Sequence, residues 1–455
     1  MHSNLRPTPL LLALLLAGTA SGQKKSAAPP PADDRLYAII SAVSPARIEA
    51  DITRLAGFGT RHTLSDTLSP TRGIGAARRW IKAEFDQIAR SSRSKMVVSY
   101  HRTMLDSGAN RRIIKDVEIV NVMAVQRGRR YSNRYIIMAG DIDSRISDPL
   151  DFTGDSPGAN DNASGMAGVL EAARVLSQYR FEANIMYVGL SGEEQGLFGG
   201  KFLAETAKSE GWEIIGVLNN DMIGNIQGVD GVIQNNSFRI FSEATPVDES
   251  EESRRRRRFT GGEVDGRSRQ LARYVARLSG QYMDNLDAML IYRLDRFGRG
   301  GHHRPFNDAG FAGIRIMETH ENYTRQHQDL RVEHGISYGD VLAGVDFDYA
   351  AKLTAVNAIV LASLAWAPEP PRGVSIKGAV QPSATLSWQR GSDKNRAGYK
   401  VYWRSTTAPQ WQQWRWIGQA DDYTFTHLVI DNYLFGVATV NKDGHESAVV
   451  FPGME

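Results

Sequence analysis

Five short segments of this 455-residue chain put carboxylates or histidines where apolar, strand-like runs stop. AGDIDSR offers Asp141 and Asp143, GANDNASG offers Asp161, and SGEEQGLFG offers the adjacent Glu193 and Glu194. LNNDMIG offers Asp221, and METHENYTRQHQD offers His320 and His327. Taken singly, most have a plain structural explanation. Aspartate favours turns, and Asn162 or Ser164 in GANDNASG is suited to cap the helix that follows. The Glu193–Glu194 pair resists that explanation. Two neighbouring carboxylates behind a buried strand repel each other, and burying them costs several kcal/mol unless cations offset the charge. A metal cation would do so. One glutamate would then be a ligand, and its neighbour would remain free to act as a general base.

The elements that must position these groups can be read from hydrophobic periodicity. Strands are expected at 119–125, 135–139, 185–190, 214–218 and 313–317, and helices at 71–88, 164–178, 200–209 and 346–364. Alternation of this kind predicts an α/β sheet with helices on both faces, and ligands in such sheets bind at the strand ends. The acidic and arginine block DESEESRRRRR (248–258) is expected to be a solvated, mobile loop. After the proline-rich WAPEPPRG the texture changes to short strands at 384–388, 399–403, 414–417 and 433–440, as in an all-β sandwich with Trp388 and Tyr433 in its core. Few contacts are expected to cross that proline-rich boundary.

A formal net charge of +3 gives no case for nucleic-acid or membrane-surface binding. With no cysteine, disulfides and thiol nucleophiles are excluded, and any metal site must be built from His, Asp and Glu. Arg6, the apolar run 9–17 and the small residues through Gly22 have the order of a secretory signal peptide, so the mature protein is expected to be exported, periplasmic or secreted. No later segment is expected to be transmembrane. The expected organisation is a signal peptide (1–22), a linker (23–35), a large domain (36–365), a second linker (366–373) and a C-terminal β domain (374–455).

The motifs SGEEQGLFG, GANDNASG and NNDMIG, with the upstream pieces LAGFGTRH and VEIVNVMAV and the downstream piece GRGGHHRPFNDAGFAGIRIME, resemble the zinc aminopeptidase family that also contains glutamate carboxypeptidase II. The C-terminal stretch resembles a fibronectin type III domain. The resemblance implies a three-layer sandwich with a mixed central sheet and a small all-β sandwich after it. It implies an exopeptidase acting on peptides through two zinc ions, with manganese or cobalt as possible substitutes. Asp161 would bridge the metals, Glu194 would bind one and Asp221 the other, His327 would complete one zinc's shell, and Asp141 would stand at the position of the first ligand. Glu193 would be the general base, and Asp143 would hold the surroundings of the first ligand. His302, His303 and Tyr323 would help to shape the substrate pocket.

Three positions depart from the family's pattern. Its first ligand is usually a histidine where this chain has Asp141. It often has an aspartate before the second histidine of GGHHRPF, where this chain has His302. It often has a tyrosine directly before the last ligand, where this chain has Gln326, and Tyr323 lies four positions earlier. His320 and His303 therefore rival His327 as last ligand. The alternatives to an aminopeptidase are a catalytically impaired peptide binder of the same fold and a related zinc amidohydrolase or cyclase.

Overall fold

The computed structural model describes residues 28–454, so the expected signal peptide lies outside the described residues. Three helices open the chain: α1 (Arg35–Ala42), α2 (Pro45–Ala56) and α3 (Gly73–Ser91). Three strands follow, β1 (Met96–Leu105), β2 (Val117–Gln126) and β3 (Tyr131–Asp141). Then come α4 (Gly165–Leu176), β4 (Ala183–Leu190), α5 (Phe198–Ser209), β5 (Glu213–Asn220) and β6 (Ser237–Ser242). After these lie α6 (Glu251–Thr260), α7 (Arg267–Tyr282), β7 (Asp287–Ile291), α8 (His303–Asp308) and β8 (Gly313–Glu318). A small hairpin, β9 (Arg331–Glu333) and β10 (Ile336–Tyr338), precedes α9 (Phe347–Trp366).

The first eight strands form one mixed sheet in the order β1-β2-β4-β3-β5-β8-β6-β7. Its centre, β4-β3-β5-β8, is parallel, whereas β1, β2 and the β6–β8 pairing are antiparallel. Buried on both faces, the central strands read as near-continuous apolar runs. Their side chains alternate between two cores. Ile136 and Met138 face the core formed with α1–α4, α7 and α9, while Ile137 and Ala139 face the core formed with α5 and α8. The result is three layers, with the carboxyl ends of β3, β4, β5 and β8 converging at one edge.

α9 is long and apolar enough to cross a membrane, contrary to expectation, but 94% of its apolar window is buried inside the fold. It is the central core helix. The block 248–258 also differs from expectation, because most of it lies in α6. Ser250 accepts the Ser253 amide at the N-cap, and acids fill the first turn. Arg255 and Arg256 pair with Glu251 and Glu252 one turn earlier. Capping, dipole and i,i+4 terms together favour the helix over the solvated loop.

After α9 the strands β11 (Arg372–Lys377), β12 (Ser383–Gln389), β13 (Arg396–Ser405), β14 (Gln413–Gly418), β15 (Asp422–Thr426), β16 (Tyr433–Asn441) and β17 (Gly453–Met454) make two small sheets, β15-β12-β11-β17 and β14-β13-β16. Trp388 lies in their shared core as expected, but Tyr433 is only half-buried, and Phe435, on the same face of β16, is buried instead.

The expectation of few contacts across the proline-rich boundary is overturned. Asp265 is buried between Arg273 of α7 (2.6 Å) and Arg404 of β13 (2.8 Å). Glu446 takes Lys400 at 2.6 Å, Arg277 of α7 at 3.4 Å and the Tyr402 hydroxyl. Asn441 donates to the Trp366 carbonyl (3.0 Å), and the Trp366 ring lies 4.8 Å from that of His445. His445 also reaches Asp33 (2.8 Å) in the proline-rich segment before α1, so that segment is fixed to the C-terminal module.

One buried acid in α2 gives a pH prediction. Burial pushes the Asp51 carboxyl up to about 7, assisted by Glu84 and Glu171 and opposed by Arg47. A carboxyl raised above its unfolded value contributes stability that is complete below the unfolded pKa and is lost as pH rises through the folded one. Asp51→Asn removes that loss. In thermal unfolding, its advantage over the wild type should grow by about 2 kcal/mol between pH 5 and pH 8. A pH-independent difference would contradict this account.

Candidate metal centre

The site is assembled from the loops that leave β3, β4, β5 and β8. Asp141 ends β3, Asp161 lies in the turn before α4, Glu193 and Glu194 follow β4, Asp221 follows β5, and His327 lies in the loop after β8. Close backbone approach makes this convergence possible. A Cβ at Gly165, the first residue of α4, would sit 2.3 Å from the Asn220 carbonyl at the end of β5. Asn162 then joins the segments: its Oδ1 accepts from Gly165 (3.1 Å) and Met222 (3.2 Å), and its Nδ2 donates to Asp141 (2.7 Å) and the Asn220 carbonyl (2.8 Å). Asn162, not Ser164, therefore serves the amide at the start of α4. From LAGFGTRH, the buried Arg61 guanidinium ties the Ile142 and Gly158 carbonyls together, each at 2.9 Å.

Asp161, Glu194 and His327 form the tightest donor group, with one ligand atom from each lying within 4.8 Å of the others. His327 Nε2 is 2.9 Å from Asp161 Oδ2 and 3.0 Å from Glu194 Oε1. Burial pushes both acids up, but His327 outweighs it and holds them below the usual carboxylate range. Burial lowers the His327 pKa, yet the two carboxylates raise it to about 9. The imidazolium thus holds the place of a cation among these acids. His327 and Met222 have φ of 51° and 62°, left-handed values that non-glycine residues seldom adopt and that occur disproportionately at functional sites.

Glu193 faces the same cleft. Its carboxyl is pushed well above the ordinary value by burial and then by Glu194, Asp221, Asp141 and Asp161. Asp221 is pushed up to about 8, mainly by burial, despite Arg315 at 2.8 Å, and its Oδ1 has no hydrogen-bond partner among the described residues. Asp143 has a role more specific than expected. Its oxygens accept the backbone amides of Glu193 (3.2 Å) and Glu194 (3.0 Å) and the Thr63 hydroxyl (2.9 Å), so it fixes the glutamate pair.

Asp141 lies outside the three-donor group. Its carboxylate is buried, with Oδ1 2.5 Å from His302 Nδ1 and Oδ2 accepting from Asn162. Two of the three departures from the family's pattern, Asp141 and His302, 161 residues apart, are therefore in contact with each other. His302 serves that carboxylate and does not line the substrate cleft. His303 is fully buried behind it, bonded to the Leu294 carbonyl (2.8 Å), and Tyr323 is 60% exposed to solvent. None of these three residues is among those lining the cleft that holds Asp161, Glu193 and Glu194. His320 is also outside the donor group; its carbonyl accepts from Asn225 (2.7 Å). The contact predicts that Asp141→His, which places two imidazoles together, harms metal retention, and that the reciprocal pair Asp141→His with His302→Asp restores it. Metal content of the three proteins measures this, and equal retention in single and double variants would contradict it.

The cleft has a volume of about 330 Å³ and is also lined by Leu197, Arg112, Arg145, Arg296, Arg299 and Arg304. Sequence reasoning missed several residues that support the donors. Arg145 binds Glu194 Oε2 (2.8 Å) and lies 2.6 Å from His327 Nδ1. Asp340 accepts the amides of Asp161 (2.6 Å) and Asn160 (2.8 Å). Only Arg315 left a signal, as a charge inside the otherwise apolar strand GIRIM. The carboxylate-rich set with one imidazole fits a hard or borderline divalent ion such as zinc.

The fold and this donor set suit a zinc-dependent hydrolase, and the comparisons with known proteins point to the same class. The profile of peptidase family M28 matches residues 121–333. A probable zinc metalloprotease of Pyrenophora tritici-repentis is 38% identical over 92% of this chain and 98% of its own length. One from Leptosphaeria maculans is 41% identical over 92% and 97%. Among solved structures, the LapA aminopeptidase of Legionella pneumophila superposes with a TM-score of 0.53 at 18% identity, covering 76% of this chain and 79% of that one. An aminopeptidase from Aneurinibacillus sp. strain AM-1 gives a TM-score of 0.50 at 12% identity, covering 73% and 97%. At these identities the structural likeness concerns the fold. The chain therefore belongs to peptidase family M28, as a zinc-dependent hydrolase.

Proposed function

We propose that this protein is an exported exopeptidase, an aminopeptidase that removes N-terminal residues from peptides with two zinc ions, and that it carries a fibronectin type III-like module at its C-terminus. The observation that carries this reading is the convergence of Asp161, Glu194 and His327 beside a second, unligated glutamate, Glu193. Asp161 would bridge the metals. Glu194 and His327 would complete one site, and Asp221 and Asp141 the other. Zinc bound there supplies Lewis acidity that acidifies water and polarises a carbonyl.

The chain's own residues do the rest. Glu193 takes the proton of the attacking water on a carboxylate oxygen and returns it to the leaving nitrogen as the C–N bond breaks. Asp143 keeps the glutamate pair in register through two backbone amides. Arg145 orients Glu194 and His327 together.

Aminoacyl anilides with free and N-acetylated termini test the specificity. Cleavage confined to the free amines is the expected result. Equal cleavage of acetylated substrates, or cleavage inside long peptides, would contradict it.

A further inference from the structure

We infer that the cleft beside the metal centre recognises a carboxylate on the substrate, and that Arg299 and Arg304, with Arg112, are the residues that bind it. The inference deepens the hydrolase reading and rests on it.

Five arginines line a cavity of only about 330 Å³, together with Asp161, Glu193, Glu194 and Asp221. Two of the five are already neutralised. Arg145 pairs with Glu194 at 2.8 Å, and Arg296 pairs with Glu321 at 3.0 Å. The other three have no carboxylate partner among the described residues. Arg112 donates to the Glu194 backbone carbonyl. Arg304 makes one long contact, 3.4 Å, to the Arg299 carbonyl, and its buried Nε has no partner. The four acids are the groups that two divalent cations would neutralise, so the loaded cleft keeps a surplus of fixed positive charge.

Arginine stays charged at every working pH, and its planar fork matches a carboxylate with two parallel hydrogen bonds. A narrow cleft of one sign also concentrates oppositely charged ligands. Segment 298–304 supplies the arrangement: Gly298 and Gly300, lining residues that project no side chain into the cleft, stand on either side of Arg299, and Arg304 follows in α8. At this volume the site has room for only a short piece of substrate. The carboxylate is therefore that of an acidic residue next to the scissile bond or the free C-terminus of a very short peptide.

Four tripeptides test this with the zinc-loaded protein: Glu-Ala-Ala and Gln-Ala-Ala, each with a free or an amidated C-terminus. Kinetics give kcat and KM, and calorimetric binding to the Glu193→Gln protein gives affinity where turnover is absent. The expected result is about 10-fold or greater preference for one carboxylate over its neutral isostere, seen in KM and in affinity, as for hydrogen bonds to charged groups. Glu over Gln assigns the acidic side chain; free acid over amide assigns the terminus. Arg299→Gln should abolish the preference by raising KM and weakening affinity for the charged peptide, while Arg304→Lys should weaken it. Equal KM and affinity across all four peptides, or an Arg299→Gln protein that treats charged and neutral peptides as the wild type does, would overturn the inference. If the wild type hydrolyses none of the four, the exopeptidase reading falls, and the binding data still decide this one.

Discussion

Glu193→Gln lowers turnover about 100- to 10,000-fold, the usual cost of removing a general base, and leaves the bound metal in place. The substitution keeps size and hydrogen bonding but removes the proton acceptor. Glu193 is not part of the donor group Asp161, Glu194 and His327, so that group should be undisturbed. Glu194→Ala fails differently. It removes one of the three donors and leaves Arg145 without its carboxylate partner, so metal occupancy falls and activity falls with it. Elemental analysis beside kinetics separates the two adjacent residues. Near-normal turnover in Glu193→Gln, or metal loss like that of Glu194→Ala, would refute the assignment.

A chain ended after Trp366 loses much of its stability. The C-terminal module supplies Arg404 to the buried Asp265 and Glu446 to Arg277. It also covers Trp366 with His445 and bonds its carbonyl through Asn441. Losing a buried ion pair costs about 3–5 kcal/mol, and ending the chain there also uncovers the apolar surface around Trp366. With two such clusters opened, the melting temperature should drop on the order of 10 °C, or the protein should fail to remain soluble. A truncated protein with unchanged melting temperature and activity would show that these contacts do not stabilise the catalytic domain.

The parallel centre of the sheet was legible because β3, β4, β5 and β8 are apolar runs bounded by glycine or acid, and burial on both faces demands such runs. Strands nearer the sheet margins were not. β7 (DAMLI) is short and has no buried residue, and β1 has a mixed burial pattern. Their strand character depends on pairing with partners that local sequence does not reveal. α6 was missed because a block of like charges suggests repulsion, whereas spacing of four residues sets each of two arginines against a glutamate. Within the site, the strand-end acids could be found because each follows an apolar run. The engagement of Asp141 by His302 could not, since their contact exists only after 161 residues of chain have folded. Tyr323, four positions before His327 in sequence, is exposed to solvent, and its side-chain direction could not be read from local sequence.

Metal analysis of the purified protein, with activity measured before and after chelation, tests the central claim most directly. The account predicts close to two zinc ions per chain, loss of peptide hydrolysis when they are removed, and recovery when zinc, manganese or cobalt is restored. A protein that binds no divalent metal after reconstitution, or that hydrolyses peptides equally well without it, would contradict the account.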